Sequence, residues 1–275
     1  LAQGSWNFPV LADWHAAEAL IYPNKRQGLI KNKTNQIKKV YIDAGGDFIL
    51  IPGDTQGGHW NNQSFISKYA PGSTPAEAIT KAGTYCYEGI EEIFSSAGYS
   101  SMIYALSDHE VGDNNWHVNG SKSKNLHVYK KVFADIININ GVESRPVCTP
   151  YENTSFAFVH KNALIVTIDI FHQKSPATKI SQYGTVVGAV TGEHLQWFNR
   201  VLAAARKDTQ IKHIFVQSHL PVVLPVRKLN SSGMFVNNTR DSEFWKTMRK
   251  HKVDVYFAGE VHENTVTRDP HPGSD

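Results

Sequence analysis

The chain has 275 residues, 41% of them hydrophobic, and a net charge of +3 at neutral pH. That length and apolar content suit a single α/β domain over residues 1–275 with a substantial core. The scattered lysines and arginines, grouped only at Lys122, Lys124, Lys130 and Lys131, do not call for nucleic acid, and no apolar stretch reaches the roughly 20 residues of a membrane span.

Residues 6–12 read as a first strand that ends at Asp13-Trp14-His15. A basic, turn-rich stretch over 31–39 and a short apolar segment at 40–42 lead to a second strand, Phe48-Ile49-Leu50-Ile51, followed by Gly53-Asp54. Residues 75–96 carry helical features: Pro75 near the start, Glu77 in the first turn, and apolar Ile79, Ala82, Ile90, Ile93 and Phe94. Gly98-Tyr99 ends that helix, and residues 101–106 give a third strand that runs into Asp108-His109-Glu110. A second helix is expected over 126–139. The runs 156–160 and 163–168 flank Lys161-Asn162 as a hairpin. A helix with Leu195, Phe198, Val201, Leu202 and Ala205 on one face follows, with Thr191 as its cap candidate. His213-Ile214-Phe215-Val216 then leads to Gln217-Ser218-His219. Residues 221–238 are polar and Gly/Pro-punctuated, a loop suited to substrate contact. The last apolar run, 253–258, ends at Gly259-Glu260-Val261-His262. A strand leaving there needs a return strand, so either closing strands lie beyond this sequence or the sheet is short at that edge.

Five strand ends thus deliver Asp and His residues, and strand ends are where loops of an α/β sheet converge on a site. Asp13, His15, Asp54, Asp108, His219, Glu260 and His262 are seven side chains able to bind metal. Two divalent ions sharing one carboxylate need about that many ligands. Such a pair polarises a phosphoryl oxygen and generates a bridging hydroxide, which makes a phosphate ester the expected substrate. His109 cannot easily share the direction of its neighbour Asp108 and is left to serve as general acid or hydrogen-bond donor, with Glu110 to orient it.

In order and spacing, these segments resemble the calcineurin-like metallophosphoesterases, whose run is D-x-H, G-D, G-N-H-[DE], a lone His and G-H-x-H. The resemblance implies a four-layer α/β/β/α sandwich with mixed sheets and a dinuclear centre at the strand ends. Carried over, it places Asp13, His15 and His262 on the first metal, Asp54 between the two, His219 on the second, and makes His109 the catalytic histidine. Two departures surround the second metal: Ser107-Asp108 stands for Gly-Asn, and Glu260 for the first His of G-H-x-H. The run from Asp108 to Trp116 resembles instead the D-H-E-V-x-x-N-N-W signature of PhoD-type alkaline phosphatases and phosphodiesterases, which would add Asn114 or Asn115 as a ligand. An oxygen-rich second site suits a hard ion, Ca²⁺, Mg²⁺ or Mn²⁺, with Fe, Mn or Zn open for the first. The rival expectation is a catalytically silent metal-binding module of the same fold.

Other residues near these motifs carry plainer expectations. His59, His117 and His172 read as loop histidines, Arg227 and Lys228 as an exposed pair, and Trp60, Trp116 and Tyr183 as packing aromatics. Cys86 and Cys148 fit one bridge or two buried thiols equally. Sequons at Asn32, Asn62, Asn119, Asn153, Asn230 and Asn237 favour a secreted or periplasmic protein. Oligomeric state is not encoded in these patterns.

Overall fold

A computed structural model describes residues 5–15, 20–57, 60, 62–111, 121–136, 142, 144–172, 187–223 and 235–269. Its architecture is mixed α/β, with sheets of two, four and two strands among the described residues. The longest helix shows how locally the elements are specified. Thr74 Oγ accepts from Glu77 N while the Glu77 carboxylate accepts from Thr74 N at 2.8 Å, a capping box that starts α3 (Pro75–Ala97). Gly98 ends it with φ 118°, a conformation open to glycine. The apolar positions expected to face inward, Ile79, Ala82, Ile90, Ile93 and Phe94, are all buried.

The strands carry the site. β1 (Ile49–Ile51) pairs in parallel with β2 (Met102–Tyr104), Ile49 opposite Met102. The expected first strand is reduced to a parallel bridge of Val10 with Leu50, held by Leu11 N to Leu50 O at 2.9 Å. The hairpin forms as expected, β3 (Phe156–His160) antiparallel to β4 (Ala163–Thr167). A short antiparallel pair follows, β5 (Phe171–His172) with β6 (Val187–Gly188). After α5 (Gly192–Lys207) the chain returns as β7 (His213–Gln217), parallel to β4, and finally as β8 (Val255–Phe257), parallel to β7. The Gln217 amide joins the β1–β2 pair to the four-stranded sheet, donating at 2.9 Å both to Ile103 O on β2 and to Thr167 Oγ1 on β4. Strands paired in parallel end on the same side, so the loops after β1 and β2, and after β7 and β8, are brought to one edge.

Several elements differ from the sequence reading. The basic stretch at 31–39 and the apolar 40–42 lie inside α1 (Arg26–Ala44), which turns only Arg26, Ile30 and Ile37 inward. Arg26 stacks its guanidinium 3.9 Å from the Tyr85 ring centroid on α3, which ties the two helices together. Two short helices, α2 (Gln63–Tyr69) and α6 (Glu243–Lys250), also went unread. The second expected helix is α4 (Ser121–Ile136), with 137–139 outside the described residues. Thr191 sits at the cap of α5 but makes no side-chain capping bond. Cys86 and Cys148 are unbridged, and Cys148 is exposed rather than buried. Burial pushes the Cys86 thiol up to about 12. No helix among the described residues is long and apolar enough to cross a membrane.

Beside the hairpin lies a polar knot within the core. Lys130 Nζ and Thr154 Oγ1 each donate to Asp169 Oδ2 at 2.6 Å, and Asp169 N donates to Ser155 Oγ at 2.8 Å. His194 closes the knot, 3.0 Å from Ser155 Oγ and stacked on Tyr151. Burial lowers the His194 pKa to about 4, with Lys130 adding to the fall and Asp169 opposing it. The unfolded chain binds a proton near pH 6.5 that the folded chain refuses, so this histidine destabilises the fold as pH drops from about 6.5 to about 4. Comparing wild type with His194→Gln in urea unfolding at about pH 7.5 and pH 4, the gap in stability should change by roughly 2–3 kcal/mol in favour of the variant. A gap that stays constant with pH would show that His194 titrates normally.

Candidate metal centre

Each strand end carries its side chains to the shared edge. Asp54 follows β1, Asp108 follows β2, His219 follows β7, and Glu260 and His262 follow β8. Asp13 and His15 reach them beyond the Val10 bridge, with His15 N donating to Asp54 O at 2.9 Å. All seven expected ligands come together, in two groups that share Asp54. One is Asp13, His15, Asp54 and His262; the other is Asp54, Asp108, His219 and Glu260.

The first group is the more open. Side-chain exposure is 12% for Asp13, 20% for His15 and 30% for His262, against 0–2% for Asp54, Asp108, His219 and Glu260. The second group therefore lies beneath the first, and solvent reaches the pair from the side of His15 and His262. Asp54 faces both: Oδ2 lies 3.3 Å from His15 Nε2, and Oδ1 lies 3.5 Å from His219 Nε2. His15 Nε2 and His262 Nε2 approach to 3.2 Å, and His262 Nε2 is 3.6 Å from Asp13 Oδ1. Asp13 Oδ1 also accepts from Glu260 N at 2.7 Å, which links the loops after the Val10 bridge and β8.

The inner group has the form of a cation site. His219 Nδ1 is 3.0 Å from Pro52 O, and a carbonyl can only accept, so Nδ1 carries the proton of the neutral ring. Nε2 then turns its lone pair toward Asp108 Oδ1 at 3.0 Å, Glu260 Oε2 at 3.3 Å and Asp54 Oδ1. Among the described residues, neither the buried Nε2 of His219 nor the buried Oδ2 of Asp54 has a hydrogen-bond partner. Lone pairs gathered in a dry site repel unless a cation or a proton stands between them. The protein responds accordingly. Burial opposes a charged His219, yet Asp54, Asp108 and Glu260 outweigh it and hold its pKa well above the ordinary imidazole value. Burial likewise opposes an ionised Asp54, but His219, His109 and His15 hold it well below the usual carboxylate range. Asp13 is raised, mainly by burial. The residues present fit metal ions, and the groups are able to hold them.

Backbone strain concentrates here too. Asp13, His15, Asp54, Glu260 and His262 have φ of 50°, 44°, 53°, 72° and 55°, in the left-handed region that L-residues seldom adopt. Room for the His219 ring depends on glycine: a Cβ at Gly53 or at Gly259 would stand 2.7 Å from His219 Nδ1.

His109 belongs to neither group. Its Nε2 points inward, 3.7 Å from Asp54 Oδ2, and its ring meets the His15 ring edge-on at 4.6 Å. Glu110 does not orient it, contrary to the sequence reading. Its Oε1 accepts from Thr55 N at 3.1 Å and Thr55 Oγ1 at 2.7 Å, and its Oε2 from Ser107 N at 3.0 Å and Asp54 N at 3.3 Å. That carboxylate is turned to the Asp54 loop, with its pKa raised first by burial and then by Asp54. Sequence reasoning also missed Ser107, whose Oγ contacts Asp54 Oδ1 at 2.5 Å; its place in the motif where Gly is usual was the available signal. Trp60 is wholly buried against Tyr87 and Tyr129, the packing role expected of it. His59, Asn114, Asn115, Trp116, His117, Tyr183, Arg227 and Lys228 lie outside the described residues, as does the His172 side chain.

No family model matches the chain, and no curated protein does. Among solved structures it is similar to the crystal structure of phosphopantetheinyl hydrolase (PptH) from Mycobacterium tuberculosis. That similarity covers 95% of this chain and 86% of the other, at 10% sequence identity and a TM-score of 0.45.

Proposed function

We propose that this protein is a metal-dependent phosphoric-ester hydrolase of the calcineurin-like type, a single domain built on the four-layer sandwich plan. The observation that carries the reading is the pair of four-residue groups joined through one buried carboxylate, Asp54. Asp13, His15 and His262 would hold one ion, Asp108, His219 and Glu260 the other, and Asp54 both. When bound, two such ions would polarise a phosphoryl oxygen and lower the pKa of a bound water, which makes it a nucleophile. The chain's own residues do the rest. His15 and His262 line the open side, where an ester can approach. Asp108 and Glu260, buried beneath, keep the inner site dry and negative. His109 directs Nε2 at the centre and supplies a proton to the departing oxygen. Exposed sequon residues Asn32, Asn153 and Asn237 favour export of the protein.

The deciding assay is hydrolysis of nitrophenyl phosphate and its bis ester by metal-stripped protein, alone and with Mn²⁺, Ca²⁺, Zn²⁺ or Fe. Metal-restored turnover of either ester supports the reading, and the ratio of the two separates monoesterase from diesterase. Metal uptake with no turnover of either would favour the silent binding module.

The inner donor set also predicts which ion it takes. Three carboxylates and one imidazole favour a hard cation, Ca²⁺, Mg²⁺ or Mn²⁺, over Zn²⁺. Carboxylates this numerous also polarise their cation less, so the useful pH should lie on the alkaline side. Glu260→His should raise Zn²⁺ affinity and move the optimum downward. Two tightly held zinc ions in the unmodified protein, unchanged by Glu260→Ala, would rule this out.

A further inference from the structure

The loops after β1 and β2 are joined by only three strand-pair positions upstream, yet the residue shared by both groups sits on one of them. What holds it is a compact set of bonds from the other loop. Glu110 accepts the backbone N–H of Asp54, Thr55 and Ser107 together with the Thr55 hydroxyl. Ser107 Oγ accepts from Asp54 N at 3.0 Å and lies 2.5 Å from Asp54 Oδ1. It also contacts Glu110 Oε2. Every member of this set is buried. Asp54 is thereby gripped at its backbone and at one carboxylate oxygen, while Oδ2 has no hydrogen-bond partner among the described residues and faces His15 and His109. The grip counters a specific cost, since Asp54 has φ 53° and a strained backbone of that kind persists only where its surroundings over-determine it.

We propose that Ser107 and Glu110 are positioning residues for Asp54, a serine and carboxylate pair that presents one aspartate to both metal groups at once. The inference rests on the metal reading above and adds what makes the sharing possible. Neither residue belongs to either metal group, and both are fully buried. Because they act through the shared carboxylate, their loss weakens both ions together rather than one.

The test is calorimetric titration of metal-stripped protein with Mn²⁺ alone, for wild type, Ser107→Ala, Ser107→Thr and Glu110→Gln, joined to amide exchange at Asp54 and Thr55. Ser107→Ala should weaken both binding steps by roughly 10–100-fold, the scale of a lost partner behind a metal ligand, and Ser107→Thr should restore them. Glu110→Gln should speed exchange of the Asp54 and Thr55 amides in the metal-free protein, a readout that needs no bound ion. A Ser107→Ala protein that binds both ions with wild-type affinity, or that loses only one, overturns the proposal. If Glu110→Gln fails to fold, Ser107→Ala with its threonine rescue still decides it. Wild type that takes up no Mn²⁺ would defeat the metal reading itself, a result distinct from a variant that matches a metal-binding wild type.

Discussion

Asp54→Asn is expected to abolish ester hydrolysis and to strip the protein of metal. The substitution changes little in size, and an asparagine oxygen can still meet the Ser107 hydroxyl that now touches Oδ1. What disappears is a full negative charge from a wholly buried position that faces His15, His109 and His219 together. A neutral amide there leaves each group one anion short, and its NH₂ places a donor where a cation should stand. The rate should fall by roughly 10⁴-fold or more, the scale on which a central catalytic group acts. Elemental analysis after purification without chelator should show both ions reduced. A folded variant that kept both ions and most of its rate would remove the shared carboxylate from the reading.

The second large effect is at His109. It stands 3.7 Å from Asp54 Oδ2 but lies in neither ligand group, so it can be removed without taking a donor from either ion. His109→Ala should lower the rate by roughly 10²–10⁴-fold, as expected for a lost proton donor, with metal content near wild type. Esters with better leaving groups should suffer less, because they need less protonation as they depart. Loss of metal in this variant would reassign His109 as a ligand, and an equal loss for good and poor leaving groups would make it a binding contact.

Much of the edge that bears these residues was legible because its signals are local. The apolar runs of β1, β7 and β8 are followed within a few residues by Asp54, His219 and Glu260, so strand and candidate ligand are read from one short window. α3 announces itself through Pro75 and Glu77, which both act within its first turn. α1 is illegible for the opposite reason. Only Ile30 and Ile37 supply buried apolar side chains over nineteen residues, and its third buried residue, Arg26, is a charge accommodated by Tyr85 on a distant helix. α6 is too short for a repeat to stand out, since Phe244 and Met248 are a single i, i+4 pair. The role of Glu110 was missed because adjacency to His109 looked decisive, whereas its bonds run to Asp54 and Thr55, more than fifty residues away. Strand pairing, absent from any local window, decides where that carboxylate points.

On the proposed metal reading, the left-handed backbone at Asp13, His15, Asp54, Glu260 and His262 sets fold against function at the same five positions. Glycine would relax each of them, and each replacement would delete a donor. A ligand that binds only the folded state raises its stability by mass action, about 2.7 kcal/mol when present at a hundredfold excess over its dissociation constant. On the proposed metal reading, the cation supply during synthesis would act as a folding partner for this chain, and starvation for metal should show first as lost protein rather than lost turnover. Variants selected only for heat resistance would drift toward glycine at these sites and lose their chemistry as they gained stability.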